Sequence, residues 1–204
     1  MKKKFIGALV AFLALSACKE ADNPAVVTYE INTETSYVEW RGYLPEGNNH
    51  GRISIDDDEV TTENNQVTGG SFSIPLSSIN VLNLEGELKE QLEHHLQSAD
   101  FFNAVLYPNI TFQIREVAPY HGDGGEHVVD GANYEVTGDL TFLGKANIIT
   151  FPANVDFSGN QLHAEALITI DRLEWGMDYA SDPEAPQYIL PGIDLHLVLV
   201  ANQQ

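Results

Sequence analysis

The sequence predicts an all-β domain of eight or nine antiparallel strands, closed as a barrel or stacked as a sandwich, with one short helix. Three observations predict it. Apolar and polar residues alternate with period two over most of the chain, polar turn signals separate the alternating runs, and a single stretch carries helical spacing.

The chain begins with a different pattern. Lys2, Lys3 and Lys4 form a basic head, Phe5 to Leu15 is apolar, and Ser16-Ala17 supply small residues before a cleavage point. Residues 1–17 therefore read as a signal peptide, because the apolar run falls short of the about 20 residues that span a bilayer. The Leu15-Ser16-Ala17-Cys18 end resembles the lipobox of bacterial lipoproteins. That resemblance implies cleavage before Cys18 and lipidation of its thiol. Cys18 is the only cysteine, so no intramolecular disulfide is possible. Two or three acyl chains would give a stable membrane anchor, at about 0.8 kcal/mol per buried methylene. Residues 18–26 are then a lipidated polar linker, and 27–204 the folded domain. Lys19 follows the cysteine where an aspartate would signal inner-membrane retention. The expected location is the cell envelope of a Gram-negative bacterium, on its outer membrane.

Strands are expected at Val27–Asn32, Tyr37–Tyr43, Gly51–Asp56, Gln66–Pro75 and Gly192–Ala201. The clearest alternation lies between them. Ile110, Phe112 and Ile114 share one parity, as do Val136, Gly138, Leu140 and Phe142. Phe151, Ala153, Val155 and Phe157 come next, then Leu162, Ala164, Ala166 and Ile168. Such alternation marks strands with one face buried. Ser158-Gly159-Asn160-Gln161 is a hairpin signal, and Gly69-Gly70 inside an expected strand suggests a bulge or tight bend. The helix runs from Gly86 to Ala99, with Leu88, Leu92 and Leu96 at spacing four. Two irregular stretches remain, Pro119–Ala132 and Arg172–Pro191.

Composition narrows the function. The ten basic residues less Lys2, Lys3 and Lys4 leave seven against 30 acids, a formal charge of −23 for the mature chain. Nucleic acid is excluded as a partner, since phosphates need basic residues to neutralise them. No nucleophile elbow, zinc-binding His-Glu-x-x-His helix or phosphate loop occurs, so the reading is not an enzyme, and neither a catalytic nor a metal site is assigned. His94-His95 are adjacent on the helix and diverge. His121, Asp123, Glu126 and His127 form a cation candidate without a fixed ligand motif.

Several elements in fixed order resemble the YceI family of secreted isoprenoid-binding proteins. They include Ser36-Tyr37-Val38-Glu39-Trp40, His50-Gly51, Thr68-Gly69-Gly70-Ser71-Phe72 and Ser98-Ala99-Asp100-Phe101-Phe102-Asn103. Tyr107-Pro108-Asn109-Ile110-Thr111-Phe112, Val136 to Gly144, and Ile170-Asp171-Arg172 before Trp175-Gly176 continue the set. The resemblance spans roughly Thr28 to Ala201. It implies an eight-stranded antiparallel lipocalin-like barrel holding a long apolar lipid: an isoprenoid, a quinone or a relative, with no other cofactor. The expected lining is Trp40, Phe72, Phe101, Phe112 and Phe142, with Phe151, Phe157, Ile168, Arg172 and Trp175.

From the residues alone, a packed core and a ligand tunnel both stand, because an eight-stranded barrel can fill with side chains or hold one slender ligand. Gly138, Ala153, Ala164 and Ala166 are the positions expected to leave room. Arg172 reads either as a cation beside a ligand head, or as a structural group stacked on an aromatic ring or paired with Asp171, Glu174 or Asp178. The Pro119–Ala132 and Ala180–Pro191 stretches look longer than the family's, and would alter the ligand if they flank the barrel mouth.

Overall fold

The computed structural model describes residues 25–56 and 58–204. The signal peptide, Cys18 and most of the linker lie outside them. Among the described residues the strands are β1 (Val26–Ile31), β2 (Tyr37–Tyr43), β3 (Asn48–Ser54), β4 (Glu59–Glu63) and β5 (Gln66–Pro75). After β6 (Asn80–Val81) and the helix α1 (Gly86–Gln97) come β7 (Asn109–Pro119), β8 (Tyr134–Phe142), β9 (Lys145–Ser158), β10 (Gln161–Asp171) and β11 (Gly192–Gln203).

These strands form a closed antiparallel barrel of eight staves. Neighbours run β1-β4-β5-β7-β8-β9-β10-β11, and β1 pairs back onto β11 to close the ring. Two staves are broken strands. The same edge of β11 takes β1 at Ala201–Gln203 and β2 at Ile193–Val198, so β1 and β2 lie end to end across the Asn32–Ser36 turn. β3 pairs with β2 and β4 with β1, which makes β3–β4 the second broken stave. This is why more strand segments occur than the eight staves expected of the barrel. The β4 segment and the two-residue β6 were not anticipated from sequence.

Local chemistry explains the ends. β4 turns into β5 through Asn64 and Asn65, both at positive φ (52° and 59°), the conformation a two-residue type I′ hairpin needs. The expected irregularity near Gly69-Gly70 is a bulge: Thr61 pairs with Gly69 but Thr62 with Val67, leaving Thr68 as the extra residue. The alternation in β8, β9 and β10 has the expected parity, with Val136, Leu140, Phe151, Val155, Leu162 and Ile170 all in the core.

The wall parts between β9 and β10. β10 pairs with β9 only over Gln161–Ala166, while Leu167–Asp171 bond to β11 alone. Two irregular stretches close this gap. Above, the short 3-10 turn Arg172–Trp175 is tied to β9, where Lys145 and Asn147 donate to the Glu174 carbonyl. Below, the Pro119–Ala132 stretch lies along the outside of the wall: at its end Asn133 donates to the Ala153 carbonyl and exchanges hydrogen bonds with Val155, and Asn154 donates to the Gly131 carbonyl at 2.8 Å. From this stretch His127 reaches Thr169 of β10 at 3.3 Å across the seam, and none of its residues lines the cavity described below.

Candidate functional site

The barrel holds an apolar cavity of about 200 Å³ in the half towards which β2 and β8 run. Its wall comes from alternating residues of several strands: Trp40 of β2, Phe142 of β8, Ile168 of β10 and Leu195 of β11 among them. Its floor is a layer of three aromatic rings. Phe72 and Phe112 stack with centroids 6.0 Å apart, and Phe112 meets Phe151 at 5.7 Å. The cross-strand pair Phe72–Phe112 on β5 and β7 sets this layer. Below it lies a second apolar void of about 50 Å³.

The roof is α1 together with the aromatic turn at its C-terminal end. Leu92 and Leu96 line the cavity with Phe101 and Phe102, whereas Leu88, one turn earlier on the same stripe, is 63% exposed. None of the helix's residues is buried. Polar contacts moor its outer face: Lys89 donates to Asn80 at 2.6 Å, and the Val81 N–H donates to Glu93 at 2.8 Å. Near the turn His95 bonds Asp100 at 2.9 Å and packs edge-on against Phe101.

Arg172 is 1% exposed. Its guanidinium donates to three backbone carbonyls, those of Met177, Ile189 (2.8 Å) and Leu190 (3.3 Å). Burial pulls its pKa below the ordinary value, with Asp171, Tyr188 and Asp178 acting in the opposite direction. It borders the cavity, but its donors are committed to the chain and it forms neither the aromatic stack nor the acid pair expected of it. It pins the Arg172–Pro191 stretch, whose Ile189 and Leu190 do line the cavity. Arg172 is the one charged side chain among the described residues of that lining.

Of the ten residues expected to line a ligand cavity, Trp40, Phe72, Phe101, Phe112, Phe142, Phe151, Ile168 and Arg172 border it. Two do not. Phe157 points inward at the closed end, where it packs edge-on against Tyr29 at 5.9 Å. Trp175 is a wall residue: its ring stacks on Phe142 at 4.7 Å and its N–H donates to the Leu140 carbonyl at 3.0 Å. The small residues expected to open a tunnel are also placed otherwise. Ala153 and Ala164 line only the lower void, and Ala166 is fully buried. Gly138 is covered by Phe112, whose ring an added Cβ would strike.

The remaining candidates fall outside the cavity lining. Gly51 provides the flat surface on which Trp40 lies, since an added Cβ would come within 2.7 Å of the indole. His50 bonds Asn48 at 3.2 Å beside it. His127 turns to Thr169 (3.3 Å), and Thr169 and Tyr43 both donate to Asp194 on the outside of the barrel. The Asp194 bond holds the Tyr43 hydroxyl above its ordinary pKa. Among the described residues no three or more His, Cys, Asp or Glu side chains are grouped to hold a metal ion.

Sequence reasoning missed Tyr43, Met177, Ile189 and the inward row Ile193, Leu195 and Leu197 of β11 as cavity residues. The last three were detectable, because they share one parity in an expected strand. Met177 and Ile189 sit in irregular chain with no periodicity to mark them.

The YceI-like domain profile matches residues 29–201. Protein YceI of Escherichia coli O157:H7 is 26% identical over 163 residues, covering 78% of this chain and 76% of that protein. A UPF0312 protein of Pseudomonas putida (strain GB-1) is 27% identical over 162 residues, with the same coverage. Among solved structures, BcnA of Burkholderia cenocepacia superposes with a TM-score of 0.64 at 21% identity, over 84% of this chain and 99% of that one. A polyisoprenoid binding domain from Saccharophagus degradans superposes with a TM-score of 0.62 at 11% identity, over 86% and 98%. The two superpositions match the barrel, and the sequence match over nearly all the folded domain makes this chain a member of the YceI-like family.

Proposed function

We propose that this protein binds an apolar isoprenoid, quinone or related lipid inside its barrel, for storage or transport in the cell envelope, and performs no catalysis. The observation that carries the reading is the cavity: about 200 Å³ of apolar space under a helix with no buried residue, its charged lining residue, Arg172, bonded to backbone carbonyls. An engineered cavity of about 150 Å³ with such a lining stays dry and accepts benzene. An isoprene unit that buries about 100 Å² gains about 2.5 kcal/mol at about 25 cal/mol per Å². A tail with a few units inside therefore outweighs association costs. The polyisoprenoid binding domain that shares the barrel supports the same class of ligand.

The head is neutral. A diphosphate wants several donors, and all three Arg172 guanidinium nitrogens already donate to backbone carbonyls. The chain's formal charge of −20 also repels an approaching anion. Competition between a prenyl alcohol and the prenyl diphosphate of equal length tests this. The alcohol is expected to win at low salt, with any diphosphate binding strengthening as salt rises; a diphosphate preference at low salt would overturn the neutral-head reading.

The N-terminal lipid anchor belongs to this proposal. β1 enters at the closed end, where Val26 pairs with Glu63 beside the Asn64-Asn65 turn, and its stave runs towards the cavity. An acylated Cys18 would thus tether the closed end and leave the mouth facing away from the anchoring membrane.

A further inference from the structure

We propose that the aromatic layer below the cavity is the stop that sets ligand length, with Phe112 as the residue that determines it. The inference rests on the lipid-binding reading and adds the length of tail selected.

The upper cavity and the lower void share four lining residues, Phe72, Phe112, Phe151 and Leu197. A tail entering under α1 meets this layer first. Phe112 is held from three sides. Phe72 stacks on it with planes 14° apart, Phe151 tilts against it, and its far edge rests on the backbone of Gly138. No side chain could replace that glycine without displacing the ring, for a Cβ would also stand 2.6 Å from the Gln113 carbonyl. The position of the ring is thus set by main chain on the neighbouring strand, which makes it a fixed stop.

Beneath the stop lies further apolar space, bounded by Val60, Val136, Leu162 and Leu199. A longer tail would meet apolar side chains there if the ring were smaller. At about 30 Å³ per water-sized group, the lower void alone takes one or two methylenes, and deletion of a phenyl ring adds more. Each methylene brought under cover tightens binding about fourfold.

The test uses straight-chain primary alcohols of graded length, titrated by calorimetry against the wild-type protein, Phe112→Ala and Phe112→Leu. Affinity in the wild type is expected to rise with each carbon and then level off where the tail reaches the ring. In Phe112→Ala the plateau should move to chains longer by about two carbons or more, and in Phe112→Leu by less. Phe157→Leu, which touches neither void, should keep the wild-type plateau. Thermal melts identify the folded variants, and Phe112→Leu keeps the test decisive should the alanine variant not fold. An unchanged plateau in a folded Phe112 variant, or a wild-type affinity that climbs without levelling, would overturn the proposal. Failure of the wild type to bind an alcohol of any length would instead remove the lipid-binding reading beneath it.

Discussion

Arg172 shows how a residue type can be visible in sequence while its role is not. A buried cation next to Asp171 and Glu174 suggests an ion pair, yet each of its three guanidinium nitrogens donates to a backbone carbonyl, those of Met177, Ile189 and Leu190. Carbonyls carry no sequence identity, so no spacing rule could have found them. The planar fork matters here, and a lysine ammonium cannot reach all three acceptors at once. Arg172→Lys is expected to cost on the order of 3 kcal/mol through unpaired buried carbonyls, lowering the melting temperature by roughly 10 °C. Calorimetric melting checks it. Unchanged stability with altered affinity for anionic ligands would return Arg172 to a ligand-facing role.

Among the elements, α1 is the one suited to move. Its amphipathic stripe was legible, and the structure uses two-thirds of it: Leu92 and Leu96 cover the cavity while Leu88 stays in solvent. With no buried residue, the helix is expected to open at lower free energy than the strands around it. Leu88→Lys should therefore leave stability within about 0.5 kcal/mol, whereas Leu96→Ala should weaken binding of an apolar tail about tenfold through lost contact. Fluorescence titration of both variants checks this, and equal losses from the two would show that the helix does not roof the ligand. The strands were legible for a similar reason. Period two is local, and the parity of Val136, Leu140, Phe151 and Val155 states which side is inside. The aromatic floor was not legible as a layer, because it depends on the register that sets Phe72 opposite Phe112 and brings Phe112 over Gly138. That register is a long-range property, and it turns the expected axial tunnel into a cavity with a stop.

At the scale of the molecule, an acidic barrel encloses an apolar interior, and the chain enters it at its closed end. The proposed anchor rests on sequence alone, at Leu15-Ser16-Ala17-Cys18, and Cys18→Ser should release the protein from the membrane fraction without altering its melt; retention of the variant in membranes would contradict anchoring at that residue. Whether the cavity holds a lipid is tested most directly by mass spectrometry of an organic extract from the gently purified full-length protein. One class of neutral isoprenoid or quinone is expected at near-stoichiometric amount, lost when Leu92 and Leu96 are both changed to lysine. An extract without any such lipid, from a folded protein that also fails to take up added prenyl alcohol, would contradict it.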